Sequence, residues 1–313
     1  CNGTANLTPK PECDAGLALA EKDATKGANA IDICQTTTAA SKTWGILSAE
    51  YVQLDGKPLP STTAADNGHG IMPGFGTNVT TQYGQNLLVL SSGTARTPGQ
   101  AGFENLQSGG SKGYNTGNPT GFPISSPSCS DESGPLKDSI ALKVRLRAPT
   151  NAKSISFKFK FYTYEFPVYV CDEYNDVFVA VMRDKNGKFI PGAEPTTGNI
   201  AFDKNKNFLS VNAGFLDVCK PNTTTPKGQF FACESGESEL AGTGVGATVL
   251  CPFFFTTNIA KNARSSSATV TPTGLEKNMK RTPVQAADVA RILGLAPVTV
   301  TRVEVARTGD GPE

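Results

Sequence analysis

Ile155, Phe157, Phe159 and Phe161 occupy every second position of one stretch, with Ser156, Lys158 and Lys160 between them. A period of two sends successive side chains to opposite faces, so the segment predicts a strand with one face in a core. The next apolar run, 177–182 (VFVAVM), shows no polar alternation. Its length and β-branched content predict a strand covered on both faces. Residues 138–148 alternate again, with Leu142, Val144 and Leu146 on one side and Lys143, Arg145 and Arg147 on the other. That pattern predicts a strand with a basic outer face.

Weaker patterns fill in the rest. Residues 43–54 (TWGILSAEYVQL) predict a strand or strand pair with Trp44 near the core, closed by a turn at Asp55-Gly56. Residues 86–92 predict a short buried strand, and Asp184-Lys-Asn-Gly187 a tight turn. Short strands at 199–202 and 208–211 flank the polar run 203–207, which together suggest an antiparallel meander. Helix-forming content is confined early on to 15–33, predicting one short helix. The Gly-, Pro- and Ser-rich stretch 93–134 has almost no apolar period and predicts a long surface excursion. After 251 the patterning loses coherence: a short helix over 286–295 and a strand over 297–306 are the expectations there.

These elements predict a mainly β fold, an antiparallel, jelly-roll-like β-sandwich with a short N-terminal helix and long loops. Three regions follow: an N-terminal arm and tether over 1–29, a β-sandwich domain over 30–250, and a divergent segment over 251–313. At 313 residues the chain is long enough for a substantial core. Its 29 basic and 28 acidic residues leave a net charge of +1, and no dense Lys/Arg run suggests a nucleic-acid surface.

Eight cysteines, at 1, 13, 34, 129, 171, 219, 233 and 251, are widely spaced and form no Cys-x-x-Cys pair. Disulfides in an oxidising, extracytoplasmic compartment are expected, with Cys13, Cys34, Cys129, Cys171, Cys219, Cys233 and Cys251 as candidates and their connectivity open. Cys1, followed by a small, polar stretch, fits the acylated cysteine of a bacterial lipoprotein. Lipid there would hold the protein at an outer membrane or cell surface. A Cys1–Cys13 disulfide is the plain alternative.

Several motifs, taken in order, resemble the choice-of-anchor L domain proteins of bacterial surfaces. They are Ala30-Ile-Asp-Ile-Cys34, Trp44-Gly-Ile-Leu-Ser-Ala49 with Tyr51-Val52, Gly70-Ile71 with Gly74-Phe-Gly76, and Leu88-Val-Leu-Ser-Ser-Gly-Thr-Ala95. Tyr164-Glu-Phe-Pro167, Val170-Cys171, Tyr174-Asn-Asp176, Asn199-Ile200, Ser210-Val-Asn212 and Gly242-Thr-Gly244 continue the series to about residue 248. The resemblance implies a secreted or surface-attached β-rich module and no reaction. The family's closing acidic element is missing, although Thr308-Gly-Asp-Gly311 echoes part of it.

Candidate chemistry is sparse. Asp172, Glu173, Asn175 and Asp176 supply hard oxygen ligands suited to calcium, but the EF-hand pattern is absent, and turn capping accounts for the same residues. Tyr162, Tyr164 and Tyr169, with Phe166, could form a ledge for stacking a sugar or peptide. Tyr162 and Tyr164 share the parity of Lys158 and Lys160, which predicts exposure. His69, the sole histidine, sits in Asn67-Gly-His-Gly70, which reads as a surface turn rather than a catalytic base. The expectation is a non-enzymatic extracytoplasmic adhesion, binding or assembly module, probing a cell-surface glycan or protein and touching membrane only through an N-terminal lipid. Two other readings are a calcium-dependent lectin-like module and a structural subunit of a surface filament.

Overall fold

The computed structural model describes residues 12–81, 83–104, 111–116, 136–149, 154–163, 176–190, 195–202, 208–210 and 241–244, with positions 121, 129 and 193. It also gives the strand backbone at 223–224, 230–231, 254–260, 269–272, 295–298 and 302–304. Cys1, Tyr164, Tyr169, Cys171, Asp172, Glu173, Asn175, Cys219, Cys233 and Cys251 lie outside the residues whose side chains are described.

In chain order the elements are α1 (Ala24–Ala30), β1 (Gly45–Val52), α2 (Thr63–Asp66), β2 (His69–Met72), β3 (Gly74–Phe75), β4 (Val79–Thr80) and β5 (Leu87–Leu90). Then come β6 (Ala141–Arg147), β7 (Ser154–Lys160), β8 (Val177–Phe178), β9 (Leu209–Ser210), β10 (Thr223–Thr224) and β11 (Phe230–Phe231). The chain continues through β12 (Phe254–Ala260), β13 (Thr269–Pro272), β14 (Leu295–Val298) and β15 (Arg302–Glu304). The fold is mainly β and its ladders are antiparallel. One sheet has the order β1-β6-β14, another β13-β12-β7-β15, and β2-β5, β3-β4, β8-β9 and β10-β11 form separate pairs.

The clearest sequence pattern gives the clearest element. Leu142, Val144 and Leu146 of β6 are buried while Arg145 is exposed. Their strand pairs with β1 from Gly45↔Arg147 to Val52↔Ala141, with a register shift between Ile46 and Ser48. β7 departs from its predicted half-burial. Phe157 and Phe159 are 3% and 1% exposed, yet Lys158, on the other face, is only 5% exposed. Burial lowers Lys160 to about 8. Alternation there does not separate core from water, since long lysine stems are themselves apolar enough to be covered.

One apolar cluster joins α1, β1, β2, β5, β6, β7 and β8 with Ala180, Met182, Ile200, Ala201, Phe202 and Leu209. At its centre Phe159 stacks on Phe178 with ring centroids 3.8 Å apart. Of the apolar run 177–182, Phe178 to Met182 are buried, as its unbroken apolar character predicts, while Val177 is half-buried and the strand itself covers only Val177–Phe178. Its polar partner is Asn199, wholly buried, whose Oδ1 accepts from the amides of Ala180 at 3.0 Å and Ala201 at 3.1 Å. That amide side chain substitutes for ladder bonds the irregular strands leave unmade.

The helix is short for physical reasons. Asp23 caps it by accepting from the amide of Thr25 at 2.8 Å, and Asp32, with φ +70°, ends its last turn. Its small residues Ala24, Gly27, Ala28 and Ala30 face inward. Cys13 and Cys34 are bridged with Cα atoms 5.5 Å apart and bracket the helix. This excludes the Cys1–Cys13 pairing. Cys129 is also disulfide-bonded, to a cysteine outside the described residues.

Two regions differ from expectation. Within the 93–134 stretch, Ala95, Arg96 and Thr116 are buried, so part of the supposed surface excursion is packed against β2 and the start of β6. Trp44 is half-buried and stays outside the core cluster. In the C-terminal segment, β12 pairs with β7 from Phe254↔Lys160 to Ala260↔Ser154, and β14 and β15 join the two larger sheets. The helix expected over 286–295 lies outside the described residues save Leu295, which opens β14.

Candidate functional site

The densest polar chemistry among the described residues surrounds the β2–β5 hairpin. Its register runs from His69↔Leu90 to Met72↔Leu87. At the His69 end Arg96, 2% exposed, donates from Nη1 to the carbonyls of His69 at 2.6 Å and Ala95 at 2.7 Å. Its Nε donates to the carbonyl of Ala101 at 3.2 Å and its Nη2 to Asn67 Oδ1 at 3.3 Å. Among the described residues no carboxylate pairs with it; its charge is stabilised by backbone dipoles, and burial lowers its pKa. Lys112 reaches the same end of the hairpin, donating from Nζ to the carbonyl of Ser91 at 2.8 Å, and burial lowers it to about 8 against the opposing pull of Asp138.

His69 is not in a turn. It is the first residue of β2, 2% exposed, with its ring stacked on Tyr51 of β1 at a centroid distance of 3.9 Å and an interplanar angle of 6°. The glycines beside it serve close approach rather than turning. A Cβ on Gly70 would sit 2.5 Å from the carbonyl oxygen of Ala95 and 2.8 Å from Arg96 Nη1, and one on Gly68 would sit 2.4 Å from Lys112 Nζ. Tyr51 needs a glycine as well: a Cβ on Gly27 of α1 would lie 2.3 Å from its hydroxyl oxygen.

Neither the His69 Nδ1 nor the Tyr51 hydroxyl has a hydrogen-bond partner among the described residues. Burial lowers the imidazole to about 4, with Asp66 opposing and Arg96, Lys112 and Lys22 reinforcing. Burial also raises the Tyr51 phenol, with Glu21 and Asp23 adding to the effect. Both groups are therefore neutral at physiological pH. No nucleophile is hydrogen-bonded to either imidazole nitrogen among the described residues.

The opposite end of the same hairpin is held by Asp14. Its Oδ2 accepts from the amides of Gln85 and Asn86, each at 2.7 Å, and the Asn86 side chain donates back to the Asp14 carbonyl. Midway, the amide of Ile71 donates to the carbonyl of Leu19 at 3.1 Å. The N-terminal segment thus runs along one side of the hairpin as a strap pinned by the Cys13–Cys34 disulfide.

Of the predicted ligand set, Tyr162 and Asp176 are described. Tyr162 is half-buried, with its ring edge-on to Phe75 at 5.3 Å and packed against the small cluster of Met72, Phe75, Val79 and Leu87. Asp176 lies a short hydrogen bond from the Thr163 hydroxyl, and a second bond comes from Ser92; these lower its pKa against a larger upward push from burial. It links the end of β7 to the residues after β5. Among the described residues no group of three or more His, Cys, Asp or Glu side chains is arranged to hold a metal ion, and no helix is long and apolar enough to cross a membrane. Sequence reasoning missed Arg96 and Tyr51. The available signal was Gly-His-Gly read as close packing instead of turning, because small residues flanking a lone large one also permit a buried strand crossing.

Comparison with known protein families, curated proteins and solved structures found no match to this chain.

Proposed function

We propose that this chain is an extracytoplasmic, non-enzymatic surface module of β-sandwich architecture, similar to the choice-of-anchor L domains, that binds a glycan or protein at the cell surface. The observation that carries the reading is the Cys13–Cys34 disulfide together with a disulfide at Cys129, since disulfides persist chiefly in oxidising compartments. The stacked, neutral His69–Tyr51 pair supports the non-enzymatic half: the His69 Nδ1 and the Tyr51 hydroxyl are buried without a hydrogen-bond partner among the described residues. The half-buried ring of Tyr162 beside Phe75 is the place for contact with a sugar or peptide face.

Two measurements test this. Intact mass after alkylation, with and without reductant, is expected to show at least two disulfides; alkylation of all eight cysteines without reductant overturns the compartment assignment. Binding of the oxidised chain to immobilised cell-surface polysaccharides and glycoproteins should be saturable and weakened by Tyr162→Ala. Absence of saturable binding to any of them overturns the binding role.

A further inference from the structure

His69 is the chain's single histidine, the one side-chain type whose ordinary pKa puts its charge change between pH 5 and 8. Its ring is sandwiched into the junction of α2, β1, β2 and the segment after β5, with Tyr51 covering one face at 3.9 Å. The charged groups facing it are Asp66 of α2, Arg96 and Lys112 from beyond β5, and Lys22 from the strap before α1. Glu21 and Asp23 face its stacking partner Tyr51. Asp66, the single acid facing the imidazole among the described residues, is already engaged by Lys22 at 2.5 Å. A proton arriving at Nδ1 would find no acceptor within hydrogen-bond reach among the described residues. Arg96 holds the residue's own backbone carbonyl at 2.6 Å.

We propose that His69 is an acid-operated release for the β2–β5 hairpin: protonation of its imidazole breaks the Arg96 grip and opens residues 67–72 and 87–96, while the β1–β6 ladder stays closed. The geometry sets the location. Arg96, Lys112 and the new imidazolium would place three positive charges around one peptide segment, and the one carboxylate facing the imidazole among the described residues, Asp66, is shared with Lys22. Separation of the segments bearing Arg96 and Lys112 from β2 relieves that repulsion and hydrates the imidazolium.

The sign follows from the direction of the shift. The closed-state value, about 4, lies below the ordinary histidine value of about 6.5, so the closed hairpin holds its full stability above pH ~6.5. That stability falls as the pH drops through the window between ~6.5 and ~4 and levels off below it. Within the window the opening constant rises about tenfold per pH unit.

The test combines two readouts on the oxidised full chain. With one histidine, the imidazole Hε1 proton gives a single NMR resonance, which should stay at its neutral position from pH 7 to 5 in the closed form. Amide hydrogen exchange, corrected for its intrinsic pH dependence, should accelerate about tenfold per unit at 69–72 and 87–90 between pH 6 and 5 while 48–52 remain protected. His69→Phe keeps a ring on Tyr51 and removes the proton site, so its exchange should not respond to acid; His69→Gln serves the same purpose if the phenylalanine variant does not fold. A native imidazole titrating near 6.5, a wild-type hairpin indifferent to pH, or an undiminished acid response in the variant that folds overturns the proposal.

Discussion

The two ends of the β2–β5 hairpin are held by buried charges of opposite sign. At the Met72/Leu87 end the carboxylate of Asp14 gathers backbone amides; at the His69/Leu90 end the guanidinium of Arg96 gathers backbone carbonyls. Neither charge has a counter-ion partner among the described residues. Each also closes on a glycine: a Cβ at Gly84 would lie 2.5 Å from Asp14 Oδ2, and one at Gly70 would lie 2.8 Å from Arg96 Nη1. The difference lies in what holds the charge itself. Asp14 follows Cys13 and is tethered by a disulfide, whereas Arg96 is held, among the described residues, by hydrogen bonds to three backbone carbonyls and the Asn67 side chain. A short loop can therefore carry an unpaired buried cation when its hydrogen bonds are numerous, while a terminal strap relies on a covalent anchor.

The largest effect is expected from breaking the cationic end. Arg96→Met keeps the apolar stem and deletes four hydrogen bonds, leaving carbonyls and the Asn67 side chain without their donor. Unfolding by urea should show a loss of about 3–5 kcal/mol. Arg96→Lys should recover less than half of it, because an ammonium cannot reach acceptors spread around a planar fork. Full recovery by lysine would mean that charge alone, and not the fork, holds this end.

Next comes the covalent anchor. Replacing Cys13 and Cys34 by serine opens a loop spanning 21 positions, for which the chain-entropy relation gives about 3 kcal/mol. Because Asp14 is adjacent to the lost anchor, this change and Asp14→Asn should be less than additive, while the same change and Arg96→Met should add. Additivity in both cycles would separate the disulfide from the anionic end altogether.

Asp14→Asn by itself is expected to cost about 1–2 kcal/mol, since a neutral amide oxygen in the place of Oδ2 accepts the Gln85 and Asn86 amides more weakly than a carboxylate oxygen does. Gly84→Ala should cost a similar amount, through the close approach to the Asp14 carboxylate and through its φ of +67°. Thermal unfolding of the two variants and of their combination checks whether they strike the same contact.

Much of the fold was legible where period and burial coincide. β6 could be read from Leu142, Val144 and Leu146; the 178–182 run from its unbroken apolar residues; the Asp184–Gly187 turn from its composition, confirmed by the Gly187 amide donating to the Asp184 carbonyl at 3.0 Å. The candidate site was not legible, because polar groups that bond to backbone leave no periodic trace. Arg96 lies in a glycine-rich stretch and its partners are carbonyls, which every residue type presents equally. His69 looked like a turn because glycine signals both turning and close approach, and only the neighbouring chain, Ala95 and Arg96, decides between them. Lys158 misled in the opposite sense: its charge suggested water, and the structure covers it.

The smallest effect should come from the charge pair that looks most like a conventional salt bridge. Lys143 of β6 reaches Glu50 of β1 at 2.8 Å, directly across the ladder in the Glu50↔Lys143 register. The Glu50 side chain is 53% exposed, so water screens the pair and its flexible stems lose entropy in forming it. Glu50→Gln should change stability by no more than about 0.5 kcal/mol, and that small loss should vanish in 1 M salt. The same salt should leave the Arg96→Met loss nearly intact, because the Arg96 hydrogen bonds are buried beyond the reach of mobile ions. If Glu50→Gln instead matched Asp14→Asn, burial would not be what separates the two kinds of charge, and the backbone-bound ends of the hairpin would lose their special standing.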